Sequence, residues 1–196
     1  MSLEPLPTFL TLPVELIDRI LDLLDTESIL FSFSAVCKRF HAIAYNYSRL
    51  TINFTDTSSK ADIQRIRRAM RPENVIALTL KNSSRQSNII RHFLSSVYIY
   101  QSTQLRSLTL CNIEEYDLQT IIKSLTTSKL ASLSLSVSKA KPLSTHSIDL
   151  LSAMVAISSL RRLILDIDRR ISDHILWPNQ YLIQELSIQN STFEQL

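Results

Sequence analysis

The sequence predicts an α/β fold in which three short helices precede a parallel sheet with helices on one side. Two observations lead to this prediction. Apolar residues recur at one-face helical spacing through residues 12–45. From about residue 50, short strand-like runs alternate with helical stretches. Strands and helices in tandem predict a parallel sheet whose units bury their apolar faces against their neighbours.

Three short helices are predicted at the start of the chain. Pro13 lies near the start of the first, where its missing N–H is tolerated, and the polar residues 25–28 supply a stop and a fresh cap. The apolar positions of the three helices are, in order, Leu16, Ile17, Ile20, Leu21 and Leu24; Ile29, Leu30 and Phe33; and Val36, Cys37, Phe40, Ile43 and Ala44. Helices of about ten residues each enclose little core, so we expect a partner to cover part of them.

Five runs in the rest of the chain share one pattern, with aliphatic residues at the first, fourth and sixth positions. They occupy residues 75–80, 105–110, 130–135, 160–165 and 183–188, and their starts lie 23 to 30 residues apart. This is an internal repeat. A first strand is predicted at residues 50–54. Apolar stripes between the strands predict helices around residues 63–70, 89–97, 118–125 and 148–155.

The chain of 196 residues contains no glycine, although average usage would give about 14. Phosphate-binding loops, dinucleotide-binding fingerprints and the hydrolase nucleophile elbow all need glycine, so enzymes built on these motifs are excluded. The remaining residues form no coherent set of acid, base and nucleophile. We therefore expect a protein without catalytic activity, cofactor or bound metal.

The charge and the cysteines give further expectations. A net charge of +3 is too small to imply a phosphate-neutralising surface by itself. Cys37 and Cys111 give no disulfide framework. Residues 1–7 lack the features of a signal peptide, and no run of about 18 apolar residues predicts a membrane span. We expect a protein of the reducing cytosol or nucleus, with neither a membrane nor a nucleic-acid partner.

Many residues between positions 10 and 50 stand at the spacing of one known motif. They are Leu12, Pro13, Glu15, Leu16, Ile20, Leu21, Leu24, Ile29, Leu30, Val36, Cys37, Lys38 and Phe40. This set resembles an F-box, and the five later runs resemble leucine-rich repeats. Together they resemble the F-box proteins with leucine-rich repeats, which are substrate receptors of cullin-based ubiquitin ligases.

The resemblance implies a three-helix F-box at residues 8–49 and a short, irregular leucine-rich-repeat solenoid at residues 50–196. Asparagines stand one position earlier than that family's usual asparagine or cysteine, at Asn82, Asn112 and Asn190. They are candidates for turn geometry that glycine often serves. The array ends without a polar capping unit, so we expect a chain truncated at its C-terminal end.

The resemblance also implies partners: the F-box docks a Skp-type adaptor and through it a cullin. By the motif match, the predicted adaptor contacts are Leu12, Pro13, Leu16, Ile20, Leu21, Leu24, Ile29, Val36, Cys37, Lys38 and Arg39. The alternative for Leu16, Ile20 and Phe40 is that they form the core of the three helices. The motif does not separate core from interface residue by residue.

The repeats are implied to bind a protein substrate. Residues between the inward leucines of each strand point to the opposite face of the sheet. The middle row of this face is predicted to consist of Thr79, Thr109, Ser134, Ile164 and Ser187. This row is either a substrate-binding surface or a merely solvated face. An alternative function is a leucine-rich-repeat interaction scaffold without ubiquitination activity.

Several reactive or charged residues have ordinary explanations. Cys37 and His41 lie four positions apart without further metal ligands nearby, and Cys111 has no evident histidine partner. The acidic Glu114, Glu115 and Asp117 complement a helix N-terminus. The densest basic run is Arg65, Arg67, Arg68 and Arg71. A solvated outer helix face explains this run better than contacts to phosphates.

Overall fold

The computed structural model describes residues 8–55, 57–82, 88–96, 99–125, 129–138, 143–167, 173–177 and 182–189. The described helices are α1 (Val14–Leu21), α2 (Lys38–Asn46), α3 (Lys60–Ala69), α4 (Ile89–Ser96), α5 (Glu115–Leu125) and α6 (Thr145–Val155). The strands are β1 (Leu50–Phe54), β2 (Val75–Lys81), β3 (Ser107–Ile113), β4 (Ser132–Val137), β5 (Arg162–Asp166) and β6 (Glu185–Gln189). A π-helical segment covers Ser28–Phe33. Within these ranges, no helix is long and apolar enough to cross a membrane.

The described strands form one parallel sheet in chain order from β1 to β6. The register brings repeated leucines side by side, as in the row Leu78, Leu108, Leu133, Leu163 and Leu186. On β4, buried residues alternate with half-buried ones, because successive side chains of a strand point to opposite faces. The buried strand residues share one apolar core with the inner faces of α3 to α6. The predicted α/β fold, a helical N-terminal part followed by a parallel sheet with helices, is confirmed.

The third predicted helix begins later than the sequence pattern suggests. Cys37 has an extended backbone and precedes α2, and its sulfur accepts a hydrogen bond from the N–H of Phe40. Val36 lies outside the helix and is exposed. The prediction that Val36 and Cys37 belong to this helix is therefore wrong, because the chain turns at the capping cysteine.

The predicted cap at residues 25–28 is confirmed. The two carboxylate oxygens of Asp25 accept hydrogen bonds from the N–H and the hydroxyl of Ser28, both at 2.8 Å. The backbone hydrogen bond from Ser28 is the main cause that lowers the pKa of Asp25. The ionised carboxylate therefore caps the helical turn that begins at Thr26 and continues into the π-helical segment.

The helical part packs directly against the first strand of the sheet. Thr26 is buried, and its hydroxyl donates to the backbone oxygen of Thr51 in β1 at 2.6 Å. The side-chain amide of Asn74, just before β2, donates to the backbone oxygen of Tyr45 in α2 at 3.0 Å. One continuous apolar core includes residues of both parts. The helices thus cover the N-terminal end of the sheet, where an open strand edge would otherwise face solvent.

Two asparagines near the strand ends have different functions. Among the described residues, Asn112 is the one with positive φ, at 58°, and it lies where the β3–β4 register shifts. This confirms the turn geometry predicted for Asn112. Asn82 acts through its side chain: its oxygen accepts from the N–H of Ile90 at 3.1 Å, at the start of α4, while its amide donates to the oxygen of Asn112 at 3.3 Å. Asn190 lies outside the described residues.

Candidate functional site

The helical part leaves an unusual amount of apolar surface in contact with solvent. Its large apolar residues that are between 40% and 85% exposed are Phe9, Leu10, Val14, Leu16, Leu23, Leu24 and Val36. Clusters of exposed apolar side chains on a folded protein mark sites of protein interaction. These residues therefore define a candidate docking surface, which we call the apolar helical surface.

The structure sorts the predicted adaptor contacts by exposure. Those exposed to solvent are Pro13, Leu16, Leu24, Val36 and Lys38, and those half-buried are Leu12, Ile20, Cys37 and Arg39. These nine positions remain predicted contacts.

Leu21 and Ile29 require a correction. They are 0% and 2% exposed, respectively. Both belong to the core formed by the helices and the sheet, so neither has surface to offer an adaptor. The two were predicted as contacts because an apolar residue of the motif looks the same in the sequence whether it faces the core or a partner.

The alternative interpretation placed Leu16, Ile20 and Phe40 in the core of the helices. The structure confirms this for Phe40 alone of the three. Phe40 is 1% exposed and stacks on Phe33 with 4.5 Å between ring centroids. Leu16 is exposed and Ile20 is half-buried. The helical core is therefore built around phenylalanine rings, and Leu16 stays available for a partner.

The motif did not indicate Phe9, Leu10, Val14 and Leu23 as candidate contacts. One signal was present: α1 and the turn after it carry a second apolar stripe at Leu16, Ile20 and Leu23 beside the buried one. A helix with apolar residues on two faces needs a second partner for the outer face.

Arg39 has a structural position that its motif did not indicate. Its guanidinium donates hydrogen bonds to the backbone oxygens of Leu10 and Leu12. This anchors the segment before α1 onto α2. Arg39 thereby positions the apolar side chains of Leu10 and Leu12, in addition to its predicted contact with an adaptor.

The opposite face of the sheet is open and lined by small side chains. The predicted middle row lies in register across five strands, with Thr79 beside Thr109, then Ser134, Ile164 and Ser187. All five are half-buried, and neighbouring strands are separated by about 4.8 Å. The row therefore presents four hydroxyls and one isoleucine side by side. The binding function predicted for this row stays a prediction.

An ion pair and a hydrogen bond to a carboxylate lie beside this row on β4, β5 and β6. Arg162 and Glu185 form an ion pair at 3.0 Å on β5 and β6, and the hydroxyl of Ser136 donates to Asp166 at 2.9 Å. Cys111 is half-buried on the same face. Burial raises the pKa of its thiol, against the lowering effect of the Lys81 charge. The protonated thiol therefore dominates near neutral pH, as for an ordinary cysteine.

Cys37 and His41 do not gain a metal-binding environment. The sulfur of Cys37 is engaged as the cap of α2. Throughout the ranges described above, no three histidine, cysteine, aspartate or glutamate side chains converge on a point that could hold a metal ion.

Comparison with known families assigns the helical part. The family model of the F-box domain matches residues 9–50, and this match supports an F-box protein. An F-box domain implies an adaptor function in Skp/cullin/F-box ubiquitin ligases, and such domains typically bind a Skp-type adaptor. No curated protein matches the chain closely enough to count as a relative.

Proposed function

We propose that this protein is a non-catalytic substrate receptor of a cullin-based ubiquitin ligase. The observation that carries the proposal is the F-box match at residues 9–50, whose helices expose the apolar helical surface. This surface docks a Skp-type adaptor, and the adaptor connects the chain to a cullin. Leu16, Leu24 and Val36 are the predicted contacts that are large, apolar and at least 40% exposed.

In this proposal, the sheet binds the protein substrate. Aligned leucines on strands that recur with helices between them support a short, irregular leucine-rich-repeat solenoid. The open hydroxyl row from Thr79 to Ser187 holds a protein substrate. Placing a substrate lysine near a ubiquitin-charged enzyme raises its effective concentration, which accelerates transfer without any catalytic residue in this chain. The complex works in the cytosol or nucleus.

Adaptor binding tests the proposal directly. The full chain is co-purified with a Skp-type adaptor, and the affinity is measured for the wild type and for the double variant Leu16→Ala, Val36→Ala. We expect the double variant to bind at least about tenfold more weakly, because buried interface side chains each contribute on the order of 1 kcal/mol or more.

The control is Leu176→Ala, which removes an exposed leucine far along the chain and leaves affinity unchanged. Absence of adaptor binding by the wild-type chain would overturn the proposal.

An interaction scaffold without ubiquitination activity is the alternative function, because the aligned leucine strands support partner binding whether or not ubiquitin is transferred. A ubiquitination assay with the reconstituted ligase distinguishes the substrate receptor from the scaffold. Ubiquitination of a protein captured by the sheet, lost in the Leu16→Ala, Val36→Ala variant, supports the receptor. Capture without ubiquitination supports the scaffold.

A further inference from the structure

Helix α3 concentrates positive charge on its outer face. Ile63 and Ile66 are buried against the core, and the exposed charged residues of the helix are Lys60, Arg65, Arg67 and Arg68. Four positive charges on one ten-residue helix exceed the net charge of the whole chain, which is +3. Such local concentration creates a potential that attracts anions.

The neighbouring acids neutralise little of this charge. Asp62 caps its own helix, since its carboxylate accepts from the N–H of Ser59 at 2.8 Å, and this hydrogen bond lowers the pKa of Asp62. Glu73 is engaged by Arg71 at 2.5 Å. Among the residues that the structure describes, Arg67 and Arg68 have neither a hydrogen bond nor an ion pair.

A groove lies between this face and the helical part. Its volume is about 530 Å³, and it is lined by Phe31, Ala61, Gln64, Arg65, Arg68 and Ala69. The guanidinium of Arg65 lies 3.9 Å from the ring centre of Phe31, which orients its N–H groups before any ligand arrives. The groove thus combines an apolar floor with two guanidinium groups, and we call it the basic groove.

We propose that the basic groove binds an acidic segment of a partner protein. The carboxylates pair with Arg65 and Arg68, because the planar guanidinium matches a carboxylate with two parallel hydrogen bonds. An apolar side chain of the segment packs on Ala61, Ala69 and the edge of Phe31. This surface is separate from the apolar helical surface and from the hydroxyl row, so the proposal does not depend on the proposed function.

Two observations favour a peptide over a nucleic acid. The helix has ten residues, and at about 1.5 Å per residue it spans only a few phosphates of a nucleic-acid backbone. One face of the Phe31 ring is already covered by Arg65, so that face is closed to base stacking.

The test uses fluorescence anisotropy of the full chain with a labelled peptide of glutamates interrupted by leucines. We expect saturable binding that weakens with added salt. The variant Arg65→Gln, Arg68→Gln removes both guanidinium groups of the groove and binds about fivefold more weakly, because each exposed charge pair changes affinity only a few-fold. The variant Arg19→Gln, Lys129→Gln removes two exposed charges elsewhere and binds as the wild type does.

A second pair of variants compares two substitutions that each add one negative charge to the chain. Gln64→Glu places a competing carboxylate one helical turn from Arg68 and weakens peptide binding, whereas Gln184→Glu, an exposed position before β6, does not. Equal effects of both substitutions would overturn the proposal, as would tighter binding of a single-stranded RNA of the same charge. Thermal melts confirm that all variants remain folded.

Discussion

The hydroxyl of Tyr47 joins the end of the helical part to the turn after α1. It donates to a carboxylate oxygen of Asp22 at 2.5 Å, and Arg49 pairs with the same oxygen at 2.9 Å. Burial, followed by the hydrogen bond to Asp22, raises the pKa of Tyr47 to about 12. One tyrosine thus fixes the geometry in which α1 and the first strand meet.

Replacing this tyrosine tests its contribution. We expect Tyr47→Phe to lower the free energy of unfolding by about 1 kcal/mol, because it removes one part-buried hydrogen bond to Asp22. Since the folded pKa lies above the ordinary value of 10.0, the wild type is stabilised below pH 10 and loses this stability as the pH rises toward 12. Tyr47→Phe has no ionisable hydroxyl at this position, so its stability should not fall in this way at alkaline pH.

Urea denaturation across the pH range measures both effects. Tyr116→Phe is the control, because Tyr116 is 71% exposed and its substitution should change stability by less than about 0.5 kcal/mol. Equal losses in the two variants would contradict the structural assignment of Tyr47.

Helices α5 and α6 are linked by the carboxylate of Glu115, the first residue of α5, which accepts hydrogen bonds from the start of α6. One oxygen of Glu115 accepts from the N–H of Ser144 at 2.8 Å and from the hydroxyl of Ser147 at 2.6 Å. The hydrogen bonds from Ser144 and Ser147 lower the pKa of Glu115. The group therefore stabilises the fold above its ordinary value of 4.5 and loses that effect as the pH falls through the folded pKa.

The substitution Glu115→Gln tests this link between helices. The variant keeps an acceptor oxygen but loses the charge, so we expect a modest loss of stability at neutral pH and a flatter stability profile below pH 4.5. Chemical denaturation at a series of acidic pH values gives the profile. The exposed Glu27 supplies the control Glu27→Gln, and identical acid profiles for the two variants would count against the link.

The strands were predictable because their leucines repeat with the period of two that a strand requires. A shift by one residue would move every leucine to the open face, so the pattern also determines the register. The start of α2 was not predictable from periodicity, since Val36 is apolar and continues the stripe up to the capping Cys37. Buried Leu21 and exposed Leu16 are both leucines on one helix, so composition could not separate core from docking surface.

The helical part and the sheet share one core, which predicts that they unfold together. Leu50, Ile52 and Phe54 of β1 are each 1% exposed, and Thr26 is 6% exposed at the junction. The hydroxyl of Thr26 donates to the backbone oxygen of Thr51. Its removal takes away this part-buried hydrogen bond at a buried threonine, which costs about 1 to 3 kcal/mol. We therefore expect Thr26→Val to destabilise the whole molecule rather than its first helices alone.

The single tryptophan makes this prediction measurable. Trp177 packs against the core after α6, so its fluorescence reports unfolding far along the chain from Thr26. In Thr26→Val, the urea midpoints of tryptophan fluorescence and of far-ultraviolet circular dichroism should fall by the same amount. Thr103→Val, at an exposed threonine, should shift neither. A variant in which only the helical signal moves would show two independent folding units, and the F-box could then be exchanged without loss of the sheet.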